Sequence, residues 1–220
     1  MDMQRRIVFG VGGLIVAGGL VFALVSGNTE FLYYGGSLIL IGLGIIWLDR
    51  NVRLPNMVLW GLLVWLVLHL AGGMVSVPES LVDQGVIDEA VATNTVINKT
   101  LYNVRLHPWL PRYDQCVHAF GFFISSLAAW RGIFVASGRT LRPTFGPRVG
   151  AGLMGMGCGG VNEVIEFLAT RIMPHTNVGG FVNTGWDLVS NMVGCVIAML
   201  TIRFFHERWF AGPAPTKNPA

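Results

Sequence analysis

Asp114 and His118 stand four residues apart, Glu163 and Glu166 three apart, and Asp187 and Asn191 four apart, each pair in or at the edge of an apolar run. On a helix these spacings place both members of a pair on one face. His69 adds an imidazole within a separate apolar run. Two chemistries suit histidine and carboxylates brought together from several helices. They can ligate a divalent metal such as Zn, Mn or Fe, as helix bundles do. They can also share protons, with crowding and desolvation turning one carboxyl into a general acid or a relay. The candidate catalytic set is His118, Glu163, Glu166 and Asp187, supported by His69, Asp114 and Asn191. The candidate metal ligands are His118, Glu166 and Asp187. No H-E-x-x-H, G-x-S-x-G or P-loop pattern names a reaction or an organic cofactor.

The elements that must position these residues are membrane helices. Of 220 residues 53% are hydrophobic and 12% charged, against about 25% charged in a soluble domain. The sequence therefore predicts an all-α integral membrane protein whose first partner is the lipid bilayer. Six apolar runs reach the length of a crossing, about 20 residues: 6–26, 31–48, 57–76, 113–134, 149–172 and 184–206. They predict one polytopic bundle over 1–210, with a short second span, and a flexible tail over 211–220. The first run is too long for a signal-peptide core and lacks a clear cleavage site, so it is expected to be retained. With the N-terminus in the cytoplasm, Arg5, Arg6, Arg50, Arg53, Arg131, Arg139, Arg142, Arg148, Arg203, Arg208 and Lys217 fall inside, and Lys99, Arg105, Arg112 and Arg171 outside. That asymmetry predicts both termini in the cytoplasm and the segment 77–112 outside. Its stretch 80–91 reads as a short interfacial helix. A net charge of +3 spread over loops speaks for orientation in a membrane and against nucleic acid as a partner.

This topology sets depths. From the helical rise, His118 lies about 6 Å below the outer end of its helix, Glu166 about 9 Å, Glu163 about 13 Å, Asp187 about 5 Å, and Asn191 and His69 about 10 Å. All fall in the outer half of the bilayer. Four runs delivering polar groups to one level argue for a shared site, because a buried charge in lipid is costly unless paired. Gly155-x-x-x-Gly159 would admit a neighbouring helix beside the glutamates, and Gly194 and Ala198 extend the Asp187 face in the same way.

Plainer roles compete. Asp114, after Pro111-Arg112-Tyr113, reads as a helix cap. His69 reads as a histidine satisfying a backbone carbonyl. Asp187 and Asn191 read as interhelical hydrogen-bond glue, and the glutamates as partners of Arg171 and His118. His107, His175 and His206 are expected to be solvated. Trp47, Trp109, Trp186 and Trp209 fit an interfacial belt. Cys116, Cys158 and Cys195 lack metal or redox spacing and read as buried small apolar residues.

The segments HLAGGMVSVP (His69–Pro78), YDQCVHAFGFF (Tyr113–Phe123), NEVIEF (Asn162–Phe167) and TGWDLVSNMVG (Thr184–Gly194) resemble the YjdF-like family of six-helix bacterial inner-membrane proteins of unknown function. The order D-x-x-x-H, Glu, D-x-x-x-N is also similar to that of the VanZ-like family, tied to glycopeptide resistance. The resemblance spans roughly 55–200 and carries over His69, Asp114, His118, Glu163, Glu166, Asp187 and Asn191. It implies a multi-pass protein of the bacterial inner membrane and no set reaction. Three functions stay open. One is metal-assisted or acid–base chemistry on a lipid or lipid-linked envelope substrate. The second is a non-enzymatic subunit of a larger membrane complex. The third is a small proton-coupled transporter, although no inverted repeat is visible.

Overall fold

Turn chemistry explains where each helix begins and ends. The Asp2 carboxylate accepts the Arg5 backbone N–H and starts α1 (Met3–Ser26), which Gly27 ends at φ 69°. Left-handed backbone of this kind closes helices and favours glycine. Asn28 then caps α2 (Thr29–Val52) by accepting from the Phe31 N–H. Pro55 precedes α3 (Asn56–Met74), where a missing N–H costs nothing. The outer segment forms a 3₁₀ turn (Glu79–Leu81), α4 (Gln84–Thr93) and a second 3₁₀ turn (Leu101–Asn103). Three long helices follow: α5 (Tyr113–Ala136), α6 (Phe145–Ile172) and α7 (Phe181–His206), the last running into a π turn, Glu207–Ala211. This computed structural model describes residues 2–93, 96–173, 176 and 178–211. Among them there are seven α-helices and no strand, with only the isolated bridges Ser76–Thr100 and Val82–Val104.

Five helices are long and apolar enough to cross a membrane: α1, α2, α3, α5 and the run Phe181–Ala211. The second span is not short; α2 has 24 residues. α6 has the length, 28 residues, but its glycine-rich run and its two glutamates keep it out of that apolar group. The stretch 80–91 is split, with its helix beginning at Gln84. Ala211 belongs to the π turn, not to a tail, and the expected flexible tail beyond it, 212–220, lies outside the described residues, as does His175.

α5, α6 and α7 pack on one another, α5 most extensively with α7, while α3 leans on α5 and α1 on α2 and α3. The helices meet at glycines. A Cβ on Gly194 would run into the Ala119 backbone, one on Gly155 into Ser126, and one on Gly159 into Asn191. The apolar core lies toward the end of the bundle that holds the starts of α1 and α3 and the ends of α5 and α7, around Val58, Leu59, Leu127, Trp130, Ile202 and Phe210. Arginines close that end. Arg5 pairs with Asp49 at 2.9 Å and donates to the Leu54 carbonyl. Arg131 donates to the carbonyls of Val52 and Phe210, and Arg148 to that of Met199. The bend made by Glu207–Ala211 buries His206, where Nδ1 accepts from the Trp130 indole at 3.1 Å. His206 is thus packed rather than solvated. Cys195 alone of the cysteines is buried; Cys116 and Cys158 are exposed, because an apolar run does not distinguish a packed face from a lipid face.

Candidate functional site

The half of the α5–α6–α7 unit that holds the starts of α5 and α7 and the end of α6 is filled by polar side chains. His118 is buried at its centre, with Glu163, Asp187 and Asn191 also buried and Asp114 and Glu166 partly so. α5 supplies Asp114 and His118, α6 the two glutamates, and α7 Asp187 and Asn191. Asp114 does not cap α5. That role falls to the pair Arg112 and Gln115, whose side-chain Oε1 accepts the Arg112 N–H at 2.9 Å.

One hydrogen bond orients the imidazole. Nδ1 of His118 lies 3.1 Å from Asn191 Oδ1. An amide oxygen only accepts, so Nδ1 carries the hydrogen and Nε2 of the neutral ring presents its lone pair. Nε2 faces Asp114 Oδ1 at 3.6 Å and Glu166 Oε1 at 3.9 Å, while Glu163 Oε1 stands 3.6 Å from Nδ1. Glu166 Oε1 is fixed by the Asn162 amide at 2.7 Å. Asp187 Oδ2 accepts from Asn183 Nδ2 at 2.6 Å, and Asn183 in turn accepts from the Arg112 guanidinium.

His118 is shared by two ligand groups, Asp114–His118–Asp187 and His118–Glu163–Glu166, whose donor atoms lie within 4.8 Å of one another. The three residues expected to bind metal are divided between them, with Glu166 in one and Asp187 in the other. Two donors on a tetrahedral ion at bond lengths near 2.1 Å stand about 3.4 Å apart. The separations of 3.6 and 3.9 Å around Nε2 are therefore a few tenths of an ångström wider than a bound cation would hold them. Both carboxylate oxygens of Glu163, Oδ1 of Asp187 and Nδ2 of Asn191 are buried without a hydrogen-bond partner. Buried acceptors left unsatisfied in a native site are the exception. The donor set of one imidazole and several carboxylates fits a borderline or hard divalent cation. Four carboxyls beside one imidazole need either shared protons or a cation to balance their charge.

His69 stands apart from both groups. Its Nδ1 is 2.6 Å from the Tyr102 hydroxyl, which donates to the His69 carbonyl at 2.8 Å, and its ring stacks on Trp65. Burial pushes the Tyr102 phenol well above its usual range, so it keeps the proton it donates. Tyr102 packs over Gly72 and Gly73, fastening the outer segment to α3.

Arg112, Asn183, Asn162 and Tyr102 are site neighbours that residue spacing did not single out. Asn183 continues the four-residue period of Asp187 and Asn191, and Asn162 precedes Glu166 by the same interval; extending each stripe by one turn would have found both. Arg112 reads in sequence as one more outer-loop charge, and nothing in the sequence marks Tyr102.

No curated protein and no solved structure matches the chain. A family model described as a predicted membrane protein, DUF2238, matches residues 7–208. With nearly the whole bundle inside that match, the chain belongs to the DUF2238 family of predicted membrane proteins.

Proposed function

We propose that the protein crosses the bacterial inner membrane six times with both termini in the cytoplasm. In this reading the His118 cluster, in the outer half, binds a divalent cation and acts with it on a lipid or lipid-linked envelope substrate. The asymmetry of the basic residues supports the orientation. The length of α6, and the inward placement of its buried Glu163, support a sixth crossing. One observation carries the site: buried, unpartnered oxygens of Glu163 and Asp187 surround a histidine whose Nε2 is free and faced by two further carboxylates.

Each residue has a task. Asn191 holds the His118 tautomer, Asn162 aims Glu166, and the Arg112–Asn183 pair steadies Asp187. Glu163, buried and without a fixed partner, holds or passes a proton at Oε1 or Oε2. A cation in this set would supply Lewis acidity toward a carbonyl or phosphoryl oxygen.

Glu166→Gln tests the reading, because the amide keeps the volume and loses the charge that balances a cation. Elemental analysis should find a divalent metal in the purified wild type and none in a folded variant. Wild type without metal, together with a variant at least as thermally stable, would refute metal binding. The cluster would then be a hydrogen-bonded packing network in a membrane-complex subunit, since removing a buried carboxylate from such a network is neutral or stabilising.

A further inference from the structure

Between α1, α2 and α3 lies a cavity of about 370 Å³, within the range of small-ligand sites, about 300–1,000 Å³. Its wall is made of apolar side chains and glycines, among them Phe9 and Val16 of α1, Leu38 and Ile45 of α2, and Leu62 and Trp65 of α3. Gly13 and Gly42 line it, and a Cβ at either position would meet no atom within 4 Å. Other glycines of these helices serve close approach: Gly35 abuts Leu20 and Gly61 abuts Ile124. The space is equally open at Gly10, Gly18, Gly36 and Gly44, but Gly13 and Gly42 border the cavity, so a side chain at either would enter it. A space without polar groups does not retain water, and in a bilayer the available filling is hydrocarbon. Along α1 the wall runs from Val8 to Leu20, a rise of about 18 Å, close to the roughly 15 Å hydrocarbon depth of one leaflet.

The outer end of the cavity reaches toward the polar cluster. Trp65 lines the cavity and stacks on His69 with ring centroids 5.2 Å apart. Leu38 lies one turn from Tyr34, whose ring is 6.3 Å from that of His69.

We propose that this cavity binds one hydrocarbon chain of the lipid whose head group reaches the His118 cluster, so that the substrate class is a chain-anchored amphiphile held by α1, α2 and α3. The proposal rests on the reading of the cluster as a lipid-acting site. The chain's head end lies at Leu20, Leu38 and Leu66, and its far end at Val8, Phe9 and Leu59.

The test uses the full chain in vesicles containing phosphatidylethanolamine with a diazirine in one acyl chain, placed either next to the head group or at the chain end. Crosslinked positions are mapped by mass spectrometry. The head-proximal probe should label Leu20, Leu38 and Leu66, and the distal probe Val8, Phe9 and Leu59. Gly42→Leu, alone and with Gly13→Leu, should cut this labelling about tenfold or more, a loss equivalent to about 1.4 kcal/mol of affinity. Labelling at the exposed Val196 and Leu200 of α7 should not change. Cavity labelling no stronger than at Val196, no response to either variant, or a reversed head-to-tail pattern would overturn the proposal. Metal content is measured on the same samples. Its absence from wild type would sink the cluster reading and leave the labelling result standing, whereas metal retained without cavity labelling would sink the chain site alone.

Discussion

Gly194→Ala probes the closest meeting of the helices that build the site. The added Cβ would stand 3.0 Å from the Phe123 nitrogen and 2.9 Å from the Ala119 carbonyl carbon, and closer still to the Ala119 oxygen. Atoms of this size prefer about 3.5–4.0 Å. These neighbours are backbone, so no rotamer change relieves the clash, and the oxygen contact requires α5 and α7 to part by more than about 1 Å. Overpacking of this kind costs about 1–3 kcal/mol, which for a chain of this length lowers Tm by about 2–12 °C. The same displacement takes the His118–Asn191 pair from 3.1 Å to beyond about 4 Å, past hydrogen-bonding distance. Thermal unfolding in detergent, followed by tryptophan fluorescence, measures the loss. Gly157→Ala is the control, because its Cβ would meet nothing within 4 Å, and it should be neutral or stabilise by up to about 1 kcal/mol. A Gly194→Ala protein as stable as this control would refute the account of how the helices are held together.

Two further outcomes bear on the proposed orientation and on the end of the bundle closed by arginines. In a cysteine-free background, Leu106→Cys, 80% exposed, should react with a membrane-impermeant maleimide on intact cells, and Arg142→Cys only after permeabilisation; the reverse pattern would invert the proposed topology. Asp49→Asn removes the 2.9 Å carboxylate partner of the buried Arg5 while Asp2 still pairs with the guanidinium, so it should cost about 1–3 kcal/mol in a denaturant titration, and a loss below about 0.5 kcal/mol would show that the arginine closure of that end contributes little.

The helices were legible because apolar runs of this length have few other uses, but their ends were less so: α2 runs from Thr29 to Val52, past both edges of the apolar run 31–48, because caps and polar turns extend a helix beyond its apolar stretch. The level of the polar residues followed from helical rise alone, which is why His118, Glu163 and Asp187 could be named before their neighbours were known. What periodicity does not carry is which helix stands beside which. Asn191 meets His118 across 73 residues of chain, a separation visible only in three dimensions. Arg112 looked like a solvated loop charge because its burial depends on Asn183, from another helix. Tyr102 could not be placed because its position follows from the register of the outer segment, set by the Ser76–Thr100 and Val82–Val104 bridges. Cys116 and Cys158 were misjudged because lipid and protein interior reward the same apolar residues, so hydropathy predicts insertion but not packing.

The order in which the chain is made gives the α5–α6–α7 arrangement a further consequence. α5 carries Asp114 and His118, yet Asn191, which orients the His118 ring, lies on α7, and α7 ends 70 residues after α5 does. At a synthesis rate of about 5–20 residues per second, that interval lasts roughly 4–14 s. Glu163 follows α5 by 27 residues and Asn191 by 55, so for most of that interval His118 lacks the amide that orients its ring. A nascent chain in this state presents unpaired polar groups to lipid, which is what a membrane chaperone or quality-control protease can recognise. Chains truncated before Asp187 carry both glutamates but never gain Asn191. Arrival of the last helix is therefore both the completion of the site and the signal that the protein has been built.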